Sequence, residues 1–249
     1  MMQRVLVDGR RVERATLPID DLGLGVWGVF EALRTYRREP FRIDAHLGRL
    51  HESARFCGVP WHNQLGAEIR EVVLHGETRI TLLLTGDGHR VVKGVPLDLS
   101  RVGAPVRVAT RAWTPSPWLP GRVKHTNRLG WNLAVRDAGT DEVLFVSPEG
   151  TWTEANRSNV FVVKDGALLT PLDDGRILQG VTRDAMIEAA HRAGVEVREA
   201  PVPVGVYDEM YLCSTLKELA PVVELDGVPG PGGGVVGRRV MEAFRGLER

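Results

Sequence analysis

Four of the thirty-two basic residues are lysine: Lys93, Lys124, Lys164 and Lys217. An amine that can lose its proton is a nucleophile toward an aldehyde and a base toward carbon acids, whereas a guanidinium stays charged. Lys124 is the best placed of the four. It follows the run Pro115-Ser116-Pro117-Trp118-Leu119-Pro120 and precedes an apolar stretch of helical period, which suggests a place where two domains meet. The competing reading is a solvated lysine at a helix start. Three later features suit an anionic aromatic group. Gly180-Val181-Thr182 opens a helix, offering amides that the helix does not use and a hydroxyl, both suited to a phosphate. Ser214-Thr215 interrupts a strand pattern with two more hydroxyls. Glu154 lies in a polar stretch between strands; facing a pyridine nitrogen, it would keep that nitrogen protonated and make the ring an electron sink. The plain alternatives are a capped turn, a polar turn and a solvated carboxylate.

These residues need elements to hold them. Residues 3–7 and 10–13 flank Asp8-Gly9, a hairpin signal that recurs at Asp165-Gly166 and Asp226-Gly227. The loop Pro18-Ile19-Asp20-Asp21 and the glycine-dense stretch after it feed a strand that runs through Gly28-Val29-Phe30-Glu31-Ala32-Leu33-Arg34. Asp44 caps an expected helix carrying Leu47, Leu50, Ala54 and Cys57 on one face, stopped by Gly58. A second helix is expected at about 62–75, then a strand at 78–84, the loop Gly86-Asp87-Gly88-His89-Arg90 and a strand at about 104–112 that closes the first half. Beyond the Pro-rich run come a helix at about 125–138, strands at 142–146 and 160–163, and a helix opening at Gly180 and ending at Gly194. Gly230 to Gly234 reads as a flexible link to a closing helix. The pattern is α+β in two parts: a small N-terminal domain at 1–114, a linker at 115–122 and a larger domain at 123–249.

Bulk composition excludes several classes. The 249 residues carry 32 acidic and 32 basic side chains, an interleaved balance with no footprint for nucleic acid or an anionic membrane surface. No apolar run is long enough for a signal peptide or a membrane span, so a cytoplasmic protein is expected. Cys57 and Cys213 read as small buried residues, and no metal site is implied.

In their order along the chain, these motifs resemble the fold type IV pyridoxal phosphate enzymes, the class IV family of branched-chain and D-amino acid aminotransferases and aminodeoxychorismate lyases. Gly28 to Arg34 is similar to the family's Gly-Val-Phe-Glu-Thr-Leu/Ile-Arg strand, and His46-Leu47-Gly48-Arg49-Leu50-x-x-Ser53 to its His-x-x-Arg-Leu-x-x-Ser helix. Lys124-His125-Thr126-Asn127 resembles the Schiff-base lysine segment. Glu154-x-x-x-Ser158-Asn159, Ile177-Leu178-x-Gly180-Val181-Thr182-Arg183 and Ser214-Thr215 with Ala220-Pro221 complete the series. The resemblance implies a two-domain fold with pyridoxal 5'-phosphate (PLP) between the domains and at least a homodimer. It implies Lys124 as the imine-forming base and Glu154 as the partner of the pyridine nitrogen. Arg49, the amides of Val181 and Thr182, and the hydroxyls of Ser214 and Thr215 are implied as phosphate ligands.

Substrate choice is less determined. The Ser-x-Arg-x-His loop of D-amino acid enzymes and the Tyr-x-Arg strand of branched-chain enzymes are both absent here; the chain has His89-Arg90 and Glu77-Thr78-Arg79 instead. Phe30, Arg34, Arg79, His89 and Arg90 are the candidate substrate contacts, each arginine also reading as a solvated surface group. The expected activity is transamination between a small or medium apolar amino acid, D slightly before branched-chain L, and a 2-oxo acid. Aminodeoxychorismate lyase is the alternative, favoured by Lys124-His125-x-Asn127-Arg128-Leu129. A non-enzymatic binder is a third reading, opposed by the presence of Lys124 and Glu154 together.

Overall fold

The computed structural model describes residues 3–17 and 27–247. The loop at Pro18 to Asp21 and most of the glycine-dense stretch after it lie outside the described residues. The chain forms two compact units, one of residues 1–99 with 123–127, the other of 100–122 with 128–249.

The first unit opens with β1 (Arg4–Val7) and β2 (Arg10–Val12). They are joined where Asp8 and Gly9 both take positive φ, 50° and 79°, as a two-residue turn between twisted strands requires. β3 (Gly28–Tyr36), β4 (Glu39–Pro40), α1 (Ile43–Cys57), α2 (Leu65–Glu71), β5 (Thr78–Thr85) and β6 (Arg90–Pro96) follow. The six strands make an antiparallel sheet in the order β2-β1-β6-β5-β3-β4. Along β3 the side chains alternate. Val29, Glu31, Leu33 and Thr35 are buried on the side where Leu50 and Ala54 of α1 join the core. Phe30, Ala32 and Arg34 project from the opposite face, opposite Leu83, Thr81 and Arg79 of β5. α1 stops at Gly58 in the left-handed region, as expected from the sequence. Its start differs: Arg42, itself left-handed, precedes it, and Asp44 falls in its first turn.

The second unit holds β7 (Val106–Ala112), α3 (Leu129–Ala138), β8 (Glu142–Val146), β9 (Thr151–Ala155), β10 (Asn159–Lys164), β11 (Ala167–Thr170) and α4 (Val181–Arg192). It continues with β12 (Val197–Glu199), β13 (Val202–Pro203), β14 (Glu209–Ser214), β15 (Glu218–Leu225), β16 (Val228–Pro229) and α5 (Val235–Leu247). The main path is β12-β11-β10-β14-β15-β7-β8-β9-β13. β9 also meets β10 at Glu154 and Asn159, and this one pairing closes β10-β14-β15-β7-β8-β9 into a ring. Val108, Leu144, Val160, Val162, Met210, Leu212, Ala220 and Val222 fill its core.

Four expectations are corrected. β7 does not close the first half; it pairs in parallel with β15 and β8 and belongs to the second unit. The boundary therefore falls near residue 99, and the chain returns to the first unit at 123–127. The helix expected at 125–138 begins only at Leu129, because Lys124 and Thr126 are drawn into extended pairing with β3. The helix expected at 62–75 is the shorter α2. Finally, Gly230 to Gly234 is no loose link. Gly232 both donates to Val222 O and accepts from Met210 N, and a Cβ on Gly234 would stand 2.4 Å from Glu209 Oε1.

Candidate active site

In the first unit, Lys124 sits on extended backbone beside the start of β3. Its carbonyl accepts from Phe30 N at 3.0 Å, and Thr126 N donates to Gly28 O at 2.9 Å. Its own amide donates to Ser53 Oγ of α1 at 3.1 Å. Backbone bonds on both sides of the residue fix where its side chain leaves the chain. The Nζ atom lies 5.0 Å from the centre of the Phe30 ring, an aromatic neighbour for an amine.

Beneath this strand lies a buried charge cluster. Glu31, 1% exposed, accepts from Arg49 Nε at 2.9 Å and Nη2 at 2.7 Å, and His46 Nδ1 lies 3.3 Å from the same carboxylate. Burial opposes the charge on Glu31, but Arg49, His46 and Lys124 outweigh it and hold the carboxyl well below the usual range. His46 is held below its ordinary value by burial, with Arg49 and Lys124 adding to the effect against Glu31. It is neutral at pH 7. The Glu31–Arg49 ion pair fixes the guanidinium by two aligned bonds. Glu31 carried no assigned role in the sequence reading. The signal was its place on the apolar side of β3, where a carboxylate requires a buried cation.

The other candidate contacts of this unit separate. His89 Nδ1 meets Asp8 Oδ2 at 2.8 Å, and Arg90 grips Glu68 through Nε and Nη2 at 3.0 and 2.8 Å, so both are engaged in holding the β1–β6 end of the sheet. Arg34 is buried with its guanidinium 4.1 Å over the Tyr36 ring. Arg79, its register partner, is exposed.

In the second unit, Glu154 ends up at the closure of the ring. It is 4% exposed, and its Oε2 accepts from Leu178 N at 2.9 Å, while Asn159 Nδ2 donates to Leu178 O at 2.9 Å. These two bonds set the path of the chain into α4. Gly180 is required there, since a Cβ would lie 2.0 Å from Asn159 Oδ1. The first intrahelical bond of α4 is Asp184 N to Gly180 O, so the amides of Val181 and Thr182 precede it at the positive end of the helix. Thr182 Oγ1 meets Thr215 Oγ1 at 3.0 Å. Two hydroxyls and two helix-end amides thus converge, a donor set that fits a phosphate. Ser214 contributes its carbonyl, which accepts from Lys217 N at 3.1 Å. Arg128 stacks at 3.8 Å over Trp131 and donates to Asn156 O at 2.5 Å; burial lowers its pKa to about 10, and it remains charged at pH 7.

The family model for amino-transferase class IV matches residues 28–225. The chain belongs to the class IV aminotransferases. This family uses PLP, and it exchanges an amino acid with a 2-oxo acid. Branched-chain-amino-acid aminotransferase-like protein 2 of Arabidopsis thaliana is 29% identical over 92% of this chain, which spans only 46% of that relative's length. D-alanine aminotransferase of Listeria monocytogenes is 31% identical over 90% of this chain and 88% of its own. Among solved structures, a hypothetical aminotransferase from Mycobacterium tuberculosis with alpha-ketoglutarate and PMP bound superposes with a TM-score of 0.87, at 25% identity and 98% coverage of both chains. The fold is that of the fold type IV transaminases. Among the described residues, no helix is long and apolar enough to cross a membrane.

Proposed function

We propose that this class IV aminotransferase transfers an amino group between a small or medium apolar amino acid and a 2-oxo acid, with D-amino acids slightly preferred over branched-chain L-amino acids. The observation that carries the reading is the placement of Lys124 Nζ against the Phe30 ring, which gives the reactive amine an apolar neighbour. Both substrate classes have support among the relatives, a D-alanine aminotransferase at 31% identity and a probable branched-chain-amino-acid aminotransferase of Thermotoga maritima at 33%. PLP, when bound, supplies an aldehyde carbon and a ring that accepts the charge left as the substrate Cα–H bond breaks. Lys124 Nζ would move the proton between the substrate Cα and the cofactor C4′, the shift that transamination requires. Glu154 holds the proton on the ring nitrogen. The amides of Val181 and Thr182, the hydroxyls of Thr182 and Thr215, and Arg49, aligned by Glu31, hold the phosphate. Arg34 and Arg79 are the proposed contacts for substrate carboxylate. The enzyme acts in the cytoplasm as at least a homodimer, a reading supported by α3, which buries none of its residues and exposes Leu129 and Leu133.

A second reading, aminodeoxychorismate lyase giving 4-aminobenzoate and pyruvate, is supported by Arg128, a partly buried cation four residues from Lys124 that could meet an acidic ring substrate. The test supplies D-alanine or L-leucine with a 2-oxo acid, and separately aminodeoxychorismate. Release of pyruvate from D-alanine is expected; release of 4-aminobenzoate with no transamination would overturn the first reading. Borohydride treatment should fix PLP covalently to the parent chain and not to Lys124→Ala, and fixation to the variant would remove Lys124 from its role.

A further inference from the structure

Lys217 is the one scarce lysine near the proposed phosphate ligands that the mechanism leaves unused. It ends the turn Ser214-Thr215-Leu216-Lys217, closed by its own amide on Ser214 O, and its carbonyl accepts from Gly103 N at 2.8 Å. Its Nζ reaches Glu142 Oε1, and that oxygen also accepts from Ser158 Oγ at 2.8 Å. Glu142 is fully buried at the start of β8, while Lys217 is 24% exposed. Ser158 lies on the corner between Glu154 and Asn159, where its carbonyl accepts from Ala155 N at 2.7 Å. One carboxylate oxygen therefore joins two pieces of chain distant in sequence: the turn that carries Thr215 and the corner that carries Glu154. A buried carboxylate requires a partner cation, and a charge-assisted bond is strong enough to set the position of the turn that supplies it.

We propose that Glu142, with Lys217 and Ser158, forms a positioning device that fixes the Thr215 hydroxyl relative to Glu154, and so sets the phosphate grip of the site. The proposal rests on the reading of Thr215 as a phosphate ligand. None of the three residues acts on the cofactor directly. Lys217 holds the turn, Ser158 holds the corner, and Glu142 is the shared acceptor. Because only the phosphate side depends on the turn, loss of the lysine should reduce the discrimination between PLP and pyridoxal, which has the same ring without the phosphate.

The test uses the full-length chain stripped of cofactor and reads binding of PLP and of pyridoxal by quenching of tryptophan fluorescence, together with the melting temperature. Lys217→Met should weaken PLP by about tenfold, as expected for one lost charge-assisted bond, leave pyridoxal unchanged, and be rescued by Lys217→Arg. Ser158→Ala, which keeps the ion pair and so the buried charge balanced, should show a smaller loss of the same kind even if Lys217→Met does not fold. Wild-type discrimination in Ser158→Ala and in any folded Lys217→Met, alongside lost discrimination in Thr215→Val, would overturn the proposal and leave the phosphate reading standing. Unchanged discrimination in Thr215→Val would overturn that reading, and this proposal with it.

Discussion

Replacing Glu31 by Gln tests the buried charge cluster most directly. The carboxylate is 1% exposed and receives two bonds from Arg49, whose side chain is only 10% exposed, so water cannot compensate for a lost partner. Glutamine keeps one oxygen acceptor but turns an NH2 group toward a guanidinium that can only donate. Removing one partner of a buried pair costs about 3–5 kcal/mol, and a hydrogen bond to a charged group contributes about 1.5–3 kcal/mol. With one acceptor retained, a loss of about 3 kcal/mol is expected. At a urea slope of about 2 kcal/mol per molar, the unfolding midpoint should fall by about 1.5 M. The pH dependence carries a second check. Because folding lowers the Glu31 pKa, its contribution is fully present above the ordinary value of 4.5 and is lost as pH falls below it. The gap between parent and Glu31→Gln should therefore be constant from pH 7 to about pH 5 and narrow below that. A difference under about 0.5 kcal/mol at pH 7, or a gap that does not change down to pH 3, would refute the buried ion pair.

Three further outcomes follow from the same geometry. His46 is buried with a lowered pKa, so it favours the folded chain above its ordinary value of 6.5 and loses that contribution as pH falls below it; His46→Gln should flatten part of the stability slope between about pH 6.5 and 5 in urea titrations. Gly180→Ala drives a Cβ into Asn159 Oδ1, which should cost about 1–3 kcal/mol in thermal unfolding and weaken PLP binding measured on the stripped chain. Arg90→Met leaves Glu68 buried without its cation, so a stability loss of about 3 kcal/mol is expected with KM for the amino acid unchanged. A KM raised about tenfold, with stability unchanged, would make Arg90 a substrate clamp instead.

Local features were the most legible in the sequence. The Asp-Gly pairs at 8–9, 165–166 and 226–227 fall in hairpins with both residues at positive φ, as a two-residue turn demands, whereas in Asp87-Gly88 and Asp174-Gly175 only the glycine does. Gly58 stopped α1 for the same kind of reason. What depends on distant partners was not legible. β7 looks like a strand of its own half, and only its parallel pairing with β8 and β15, both later in the chain, assigns it to the second unit. The helical period after Lys124 concealed an extended start, since pairing with Gly28 outweighs local propensity there. The glycines near 230 read as flexible because composition does not reveal the Tyr211 and Glu209 side chains that occupy the space beside them. Lys124, Glu154, Thr182 and Thr215 were found through the ordered motifs of the family. The contact between the two threonine hydroxyls is set by β14 and α4, which no local pattern links.

The return of residues 123–127 to the first unit has a consequence for biosynthesis. The bond from Thr126 to Gly28 closes a loop of 98 residues, and the start of β3 gains the partner that carries Lys124 only after β7 of the other unit has been made. On the ribosome the first unit therefore keeps an open strand edge from the completion of β6 until residues 123–127 emerge, a period in which nonnative pairing competes. The lysine reaches its place last, so a nascent chain cut near residue 99 would hold most of the first unit's core but no reactive amine.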